Sequence, residues 1–292
     1  MIVQQLINGL TIGSTYALVA IGYTMVFGIL ELVNFSHGSV YMTGAFLTLI
    51  FLTSFGANFF LAFVISIILT GLLGVMVDRC ALKPLRKKNA PKVSSLISTI
   101  GVSIFLQNLV MMICGSETKN FPLIIDLGSF NIGEASISYL QIIIFSICIL
   151  LLIALQILVN KTKVGKAMRA TAQNMEAARL MGINVNTIIT LTFFIGAALA
   201  SVAGTMVGMY YQTVDYAMGF MVGLKAFAAA VLGGIGVLPG AMLGGLTIGI
   251  IETITAGYFN AGYRDAVAFA ILIIVLIFKP SGLLGKQAPK KV

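Results

Sequence analysis

Nine apolar runs, at about 6–30, 38–55, 57–77, 93–115, 139–159, 187–211, 219–237, 240–257 and 265–278, dominate this 292-residue chain. A helix needs about 20 mostly apolar residues to cross a hydrocarbon core of roughly 30 Å. Most of the runs meet that length, so the chain must sit in a bilayer. Charged residues make up only 9% of the sequence, about a third of the share usual in a soluble domain, and mean hydropathy is +1.05. The expected fold is all-α and polytopic, with about eight to ten transmembrane helices in one domain spanning 1–292, some of them broken or re-entrant.

The formal charge of +9 would suit a nucleic-acid partner if it were spread over a surface. Its placement points to topology instead. Arg79, Lys83, Arg86, Lys87, Lys88 and Lys92 share one polar gap. Lys161, Lys163, Lys166, Arg169 and Arg179 share another, and Lys279, Lys286, Lys290 and Lys291 lie in the tail. Short basic loops resist translocation, so these segments are predicted to be cytoplasmic. The gap 116–138 carries Lys119 against Glu117, Asp126 and Glu134 and is predicted to lie outside. Residues 1–6 have no cation ahead of the first apolar run, which argues against a cleaved signal peptide and for an external N-terminus. Nine crossings then bring the C-terminus to the cytoplasm. Cys80, Cys114 and Cys148 are odd in number and show no disulfide or metal spacing.

Two interruptions break the apolar pattern. The first is Glu31-Leu32-Val33-Asn34-Phe35-Ser36-His37-Gly38, and the second is Gly233-Gly234-Ile235-Gly236-Val237-Leu238-Pro239-Gly240. Pro removes a backbone donor and Gly weakens a helix. The second stretch is therefore expected to break into half-helices or a re-entrant turn, which lipid tolerates only where protein or a water-filled cavity surrounds it. Transporters place their passages at such discontinuities. Asn34, Ser36, His37, Gly233, Gly234 and Gly236 are accordingly candidate passage residues, although a single His near an interface is commonly just hydrogen-bonded in place. The glycines at 204/208, 236/240/244 and 245/249 have the spacing of close helix packing. The tetrapeptide Leu-Thr-Ile-Gly occurs at 10–13 and at 246–249, a hint of internal duplication that is too short to stand alone.

The basic loop 160–186 contains Asn174-Met175-Glu176-Ala177-Ala178-Arg179-Leu180-Met181-Gly182. Asn174 is suited to cap a helix, Glu176 to meet the positive end of its dipole, and Gly182 to end it in a left-handed conformation. The resulting two turns would carry Ala177, Ala178 and Met181 as a small apolar patch for a partner's groove. The same residues would also suit a helix lying on lipid headgroups, and a helix this short needs something to order it.

Glu176-Ala177-Ala178 with Gly182 resembles the EAA loop of ABC importer permeases, without that family's later Ile-x-Leu-Pro element. Further motifs resemble the permeases of branched-chain amino acid importers, in particular the shorter LivH-type subunit. These are Asn8-Gly9-Leu10 with Tyr16-Ala17-Leu18 and Gly22-Tyr23, Asn34 to Gly38 with Gly44-Ala45, Gly165 to Ala170, Ala178 to Ile183, and Gly233 to Gly236 with Pro239-Gly240 and Gly244. The resemblance runs from about residue 4 to 285. It implies a permease in the cytoplasmic membrane paired with a LivM-type permease, two cytoplasmic ABC ATPases and an extracytoplasmic amino-acid-binding protein. It gives Glu176, Ala177, Ala178, Met181 and Gly182 the role of ATPase coupling. A related importer for urea, amides or other amino acids is the alternative.

No Gly-x-x-x-x-Gly-Lys-Ser/Thr occurs, since Gly165-Lys166 is followed by Ala167. ATP hydrolysis is therefore expected on another chain, with no enzyme activity, cofactor or nucleic-acid partner here. The single His37 is too little for a bis-histidine haem or a His-Cys zinc cluster. Lys225 and Glu252 lie inside apolar runs, where a charge must face a cavity or a partner; a mutual pair is the simplest arrangement. Asp215, Arg264 and Asp265 fall at outer edges, as solvated loop ends or contacts for the binding protein. An ion-coupled transporter would show paired acidic or ion-ligating groups at mid-membrane, which are scarce here. A scaffold would leave the Gly-Pro break without a purpose, and an intramembrane protease would need a Gly-x-Ser-Gly nucleophile beside the His.

Overall fold

The computed structural model describes residues 2–122, 128–132, 135–279 and 281–285. Asp126 and Glu134 of the 116–138 gap, and Lys286, Lys290 and Lys291 of the tail, lie outside the described residues. Among the described residues seven helices are long and apolar enough to cross a membrane, and two shorter apolar helices accompany them.

Each of the nine apolar runs becomes one helix. They are α1 (Ile2–Leu30), α2 (His37–Thr53) and α3 (Phe59–Val77), continued by a π-helical turn (Asp78–Leu82) into α4 (Lys83–Lys87). Then come α5 (Lys92–Cys114), α6 (Tyr139–Lys161) and the loop helices α7 (Lys163–Gln173) and α8 (Met175–Leu180). The chain continues through α9 (Val185–Tyr211), α10 (Met218–Gly233), α11 (Leu238–Tyr258) and α12 (Arg264–Phe278). Two short antiparallel ribbons were not legible in the sequence: β1 (Lys119–Asn120) pairs with β4 (Thr213–Val214), and β2 (Ser129–Ile132) with β3 (Ala135–Ser138).

Helix α1 is the hub. Every residue from Thr11 to Val26 is buried, as expected of a helix that is apolar all round and enclosed by protein. Helix α11 crosses it backbone to backbone, since a Cβ on Gly249 would lie 2.3 Å from Gly13 Cα and one on Gly245 would lie 2.5 Å from Ala17 Cα. The two Leu-Thr-Ile-Gly tetrapeptides thus meet each other across this contact. In lipid no hydrophobic drive brings helices together, so close approach through small residues supplies the dispersion contact that holds them. The α2–α9 contact follows the same rule, with Gly204 against the Tyr41 carbonyl and Gly44 against Ser201. Hydroxyls add specificity: the Thr48 and Thr205 hydroxyls of α2 and α9 sit 2.8 Å apart, and Ser66 Oγ of α3 donates to the Gly44 carbonyl of α2 at 2.7 Å.

At its edges the bundle is apolar outward. Helix α12 buries only Ala268, and Phe105, Met112 and Ile113 of α5 are well exposed. These faces suit lipid or a second membrane subunit. The loops segregate by end. Gln4 Oε1 accepts from Ser136 N at 2.8 Å, so the N-terminus shares an end with the 116–138 gap. At the other end the loop after α3 and helix α8 line one cavity, and Lys92 reaches Glu31 at the end of α1 at 2.6 Å.

Candidate functional site

Helix α8 is built as its sequence predicts. Asn174 Oδ1 accepts from Glu176 N at 2.9 Å and from Ala177 N at 3.0 Å, which supplies the cap. Gly182 takes φ +83°. Gly182 N donates to the Arg179 carbonyl and Ile183 N to the Ala178 carbonyl, each at 3.0 Å, the doubled closure of a Schellman end. These bonds satisfy most of the free groups at both ends of a helix too short to persist alone.

The apolar patch differs from the sequence expectation in one respect. Ala178 is 3% exposed and turned into the body, while Ala177 is exposed. Leu180 and Met181 stand out at 88% and 83%. The outward face is therefore Ala177, Leu180 and Met181. Leu180 was missed because the motif drew attention to the alanines, although its i+3 spacing from Ala177 was the available signal.

A node joins this loop to the membrane core. Asp78, on the π-turn that ends α3, is fully buried. Its Oδ1 lies 2.8 Å from Arg86 Nη2, and its Oδ2 accepts from Thr190 Oγ1 at 2.9 Å. Thr190 is in the second turn of α9, the helix that follows α8, so the end of α3 is tied to the base of the loop. Sequence reading gave Asp78 no role because its partners lie 8 and 112 positions away.

The first interruption is an ordered, buried turn. Asn34 Oδ1 accepts from Ser36 Oγ at 2.6 Å and from Ser36 N at 3.2 Å, and His37 N donates to the Asn34 carbonyl at 3.2 Å. Phe35 N donates to Thr99 Oγ1, and the Ser39 and Ser103 hydroxyls meet at 2.7 Å, which fastens the turn to α5. His37 fills the notch left by Gly22, where a Cβ would stand 2.3 Å from Nε2. Its ring meets Tyr23 edge-on at 4.8 Å, and Nε2 has no hydrogen-bond partner among the described residues.

The second interruption is a turn between antiparallel helices. Helix α10 ends at Gly233 and α11 starts at Leu238, with Gly233 against Gly240 and Gly244 against the Ala229 carbonyl. Gly234 and Gly236 have φ +107° and +87°. Leu283 N and Leu284 N donate to the carbonyls of Leu232 and Gly233, so the segment after α12 seals this turn. The two interruptions meet beside α1, where Val33 and Ile235 share a cavity of about 10 Å³ with Tyr23, Phe27 and Phe227. That space holds one water at most. Phe227 lies 6.0 Å from Tyr23 and 6.1 Å from Phe35, a run of rings that closes this point.

The buried charges pair. Lys225 Nζ is 3.0 Å from Glu252 Oε1 and 2.7 Å from Asp265 Oδ1, tying α10, α11 and α12. Asp265 therefore turns inward to an ion pair. Asp215 accepts from Ala217 N at 2.7 Å and from Thr118 Oγ1 at 3.3 Å, holding the loop after α9 to the loop after α5.

Comparison with known proteins places this architecture. Residues 5–276 match the family described as branched-chain amino acid transport system, permease component. The chain is 48% identical to the high-affinity branched-chain amino acid transport system permease protein BraD of Pseudomonas aeruginosa, over 99% of this chain and 97% of that protein. It is 43% identical to the corresponding LivH of Escherichia coli, with the same coverage. It is 30% identical to a probable LivH of Methanocaldococcus jannaschii, over 92% of this chain and 88% of that one. No solved structure matches. The helical architecture and these full-length matches together establish that the chain belongs to the LivH-type branch of the branched-chain amino acid transport permeases, a family of multi-pass membrane transport subunits.

Proposed function

We propose that this chain is the LivH-type half of a permease heterodimer that imports branched-chain amino acids across the cytoplasmic membrane, driven by ATP hydrolysis on two separate ABC ATPases. A LivM-type subunit forms the other half, and an extracytoplasmic binding protein delivers the cargo. Residues 1–292 act as one transmembrane domain, and 160–186 serves as its cytoplasmic coupling loop. The N-terminus lies outside and the C-terminus inside, in keeping with the concentration of cations on the loops after α3 and α6.

The observation that carries this reading is the capped helix α8, which holds Leu180 and Met181 exposed. Large apolar side chains kept exposed on a rigid mount are anchors for a partner's groove. Glu176, Ala177, Met181 and Gly182 form the coupling element, and Ala178 seats it on the membrane domain. The Asp78, Arg86 and Thr190 node carries its displacement to α3 and α9. Asn34, Ser36 and His37, with Gly233, Gly234 and Gly236, flank the inner part of the passage. The Asn34 and Ser36 side chains are engaged with each other and the space beside them is closed to about 10 Å³, so cargo reaches this region only when α1, α2 and α10 shift.

The test is Leu180→Asp with Met181→Asp in the assembled importer. Both sites are exposed, so membrane insertion is retained while ATPase co-purification and leucine uptake are lost. Undiminished co-purification refutes the docking role. Uptake of urea equal to that of labelled leucine, in vesicles holding all subunits, favours the alternative cargo class.

A further inference from the structure

Behind α8, on the side away from Leu180 and Met181, lies a cavity of about 620 Å³. Its cations come from three separate segments: Lys83, Arg86 and Lys87 on α4, Lys92 on α5, and Arg179 on α8. Two of them are already engaged, Lys92 with Glu31 and Arg86 with Asp78. Among the described residues Lys83, Lys87 and Arg179 pair with no carboxylate, and Glu176 is the only acid on the wall. Arg86 also keeps Nη1 buried without a hydrogen-bond partner among the described residues. The opposite wall is apolar, formed by Leu30 of α1 and Ile189 of α9. Amide and hydroxyl donors from Asn89, Ser95 and Asn186 complete it.

We infer that this cavity binds a phosphate-bearing anion, with the phosphate held between α4 and α8. Guanidinium and ammonium donors arranged in a concave, partly desolvated wall match the several acceptor oxygens of a phosphate. Basic pockets between transmembrane helices on the cytoplasmic side are suited to anionic headgroups, and the Leu30 and Ile189 wall gives the acyl chains of a lipid an apolar surface. The same chemistry would also accept free phosphate. Occupancy neutralises the mutual repulsion of Lys83, Lys87 and Arg179 and braces α8 against α4, so the ligand sets the position of the coupling helix. The assignment rests on the cytoplasmic placement of α8 proposed above.

The experiment uses the purified, delipidated importer with its ATPases. Phosphatidylglycerol or phosphatidylcholine is added back, and retention is read by native mass spectrometry for the unsubstituted complex and for Lys83→Gln with Lys87→Gln. The unsubstituted complex retains phosphatidylglycerol in preference to phosphatidylcholine. The double variant weakens that retention about thirtyfold, the worth of two cations facing an anionic headgroup at tenfold per 1.4 kcal/mol, and still co-purifies with its ATPases. Lys87→Gln alone, at an exposed position, shows a smaller loss in the same direction. Displacement of the lipid by excess inorganic phosphate identifies a free phosphoanion as the ligand, and resistance to it identifies the lipid; either supports the site. Equal retention by variant and unsubstituted complex overturns the proposal. So does loss of ATPase co-purification with lipid retention unchanged, which assigns the cations to protein docking. Labelling of Lys87→Cys from outside intact cells would overturn the sidedness reading while leaving the lipid preference standing.

Discussion

Replacing Lys225 with Met removes the cation that bridges two carboxylates, Glu252 and Asp265, between α10, α11 and α12. The side chains of Lys225 and Glu252 are 8% and 3% exposed, and Asp265 is 41% exposed. Removing one partner of a fully buried pair typically costs about 3–5 kcal/mol, because the remaining charge stays desolvated. Asp265 can rehydrate by a small rotation, so the penalty falls almost wholly on Glu252, and we expect about 3 kcal/mol. Combining Lys225→Met with Glu252→Met removes the stranded charge, and most of that loss is recovered. The measurement is a double-mutant cycle on unfolding of the purified protein in detergent, with Asp265→Asn as a third member. A coupling energy of about 2 kcal/mol between Lys225 and Glu252, and under about 1 kcal/mol between Lys225 and Asp265, is the expected outcome. If the two Met substitutions instead add to within about 0.5 kcal/mol, the pair does not act as a desolvated unit and the reasoning fails.

Two further outcomes follow from the packing. Gly249→Leu places a Cβ 2.3 Å from Gly13 Cα, where backbone cannot yield; it should cost about 1–3 kcal/mol or more and lower the yield of folded protein, whereas Gly101→Ala, with nothing within 4 Å, leaves yield unchanged. Thr190→Val deletes the 2.9 Å bond to the fully buried Asp78 and should cost about 1–3 kcal/mol, read as a lower unfolding midpoint, with a matching fall in ATPase activity coupled to transport if the node links α8 to the core.

The membrane class, the nine apolar helices among the described residues and their bounds to within a few residues were legible because lipid imposes one local rule: a segment must be apolar and long enough, and it must bond its own backbone. Helix α8 was legible for the same reason, since Asn174 and Gly182 act on groups within a few positions of themselves. The glycine spacings announced close helix contacts at Gly204, Gly240, Gly244, Gly245 and Gly249 but not their partners, while Gly236 has open space around it.

What the sequence alone determined is therefore the set of helices, the cap and stop of α8, and the concentration of cations in three segments. The tertiary structure decided which residues meet. It brought Gly13 to Gly249, turned Asp265 from an expected loop end to Lys225, buried Ala178, and joined Asp78 to Thr190. It also made the Gly-Pro stretch a turn sealed by Leu283 and Leu284. These contacts link residues up to 236 positions apart in the chain. Their geometry depends on how whole helices cross, which neither hydropathy nor local propensity encodes.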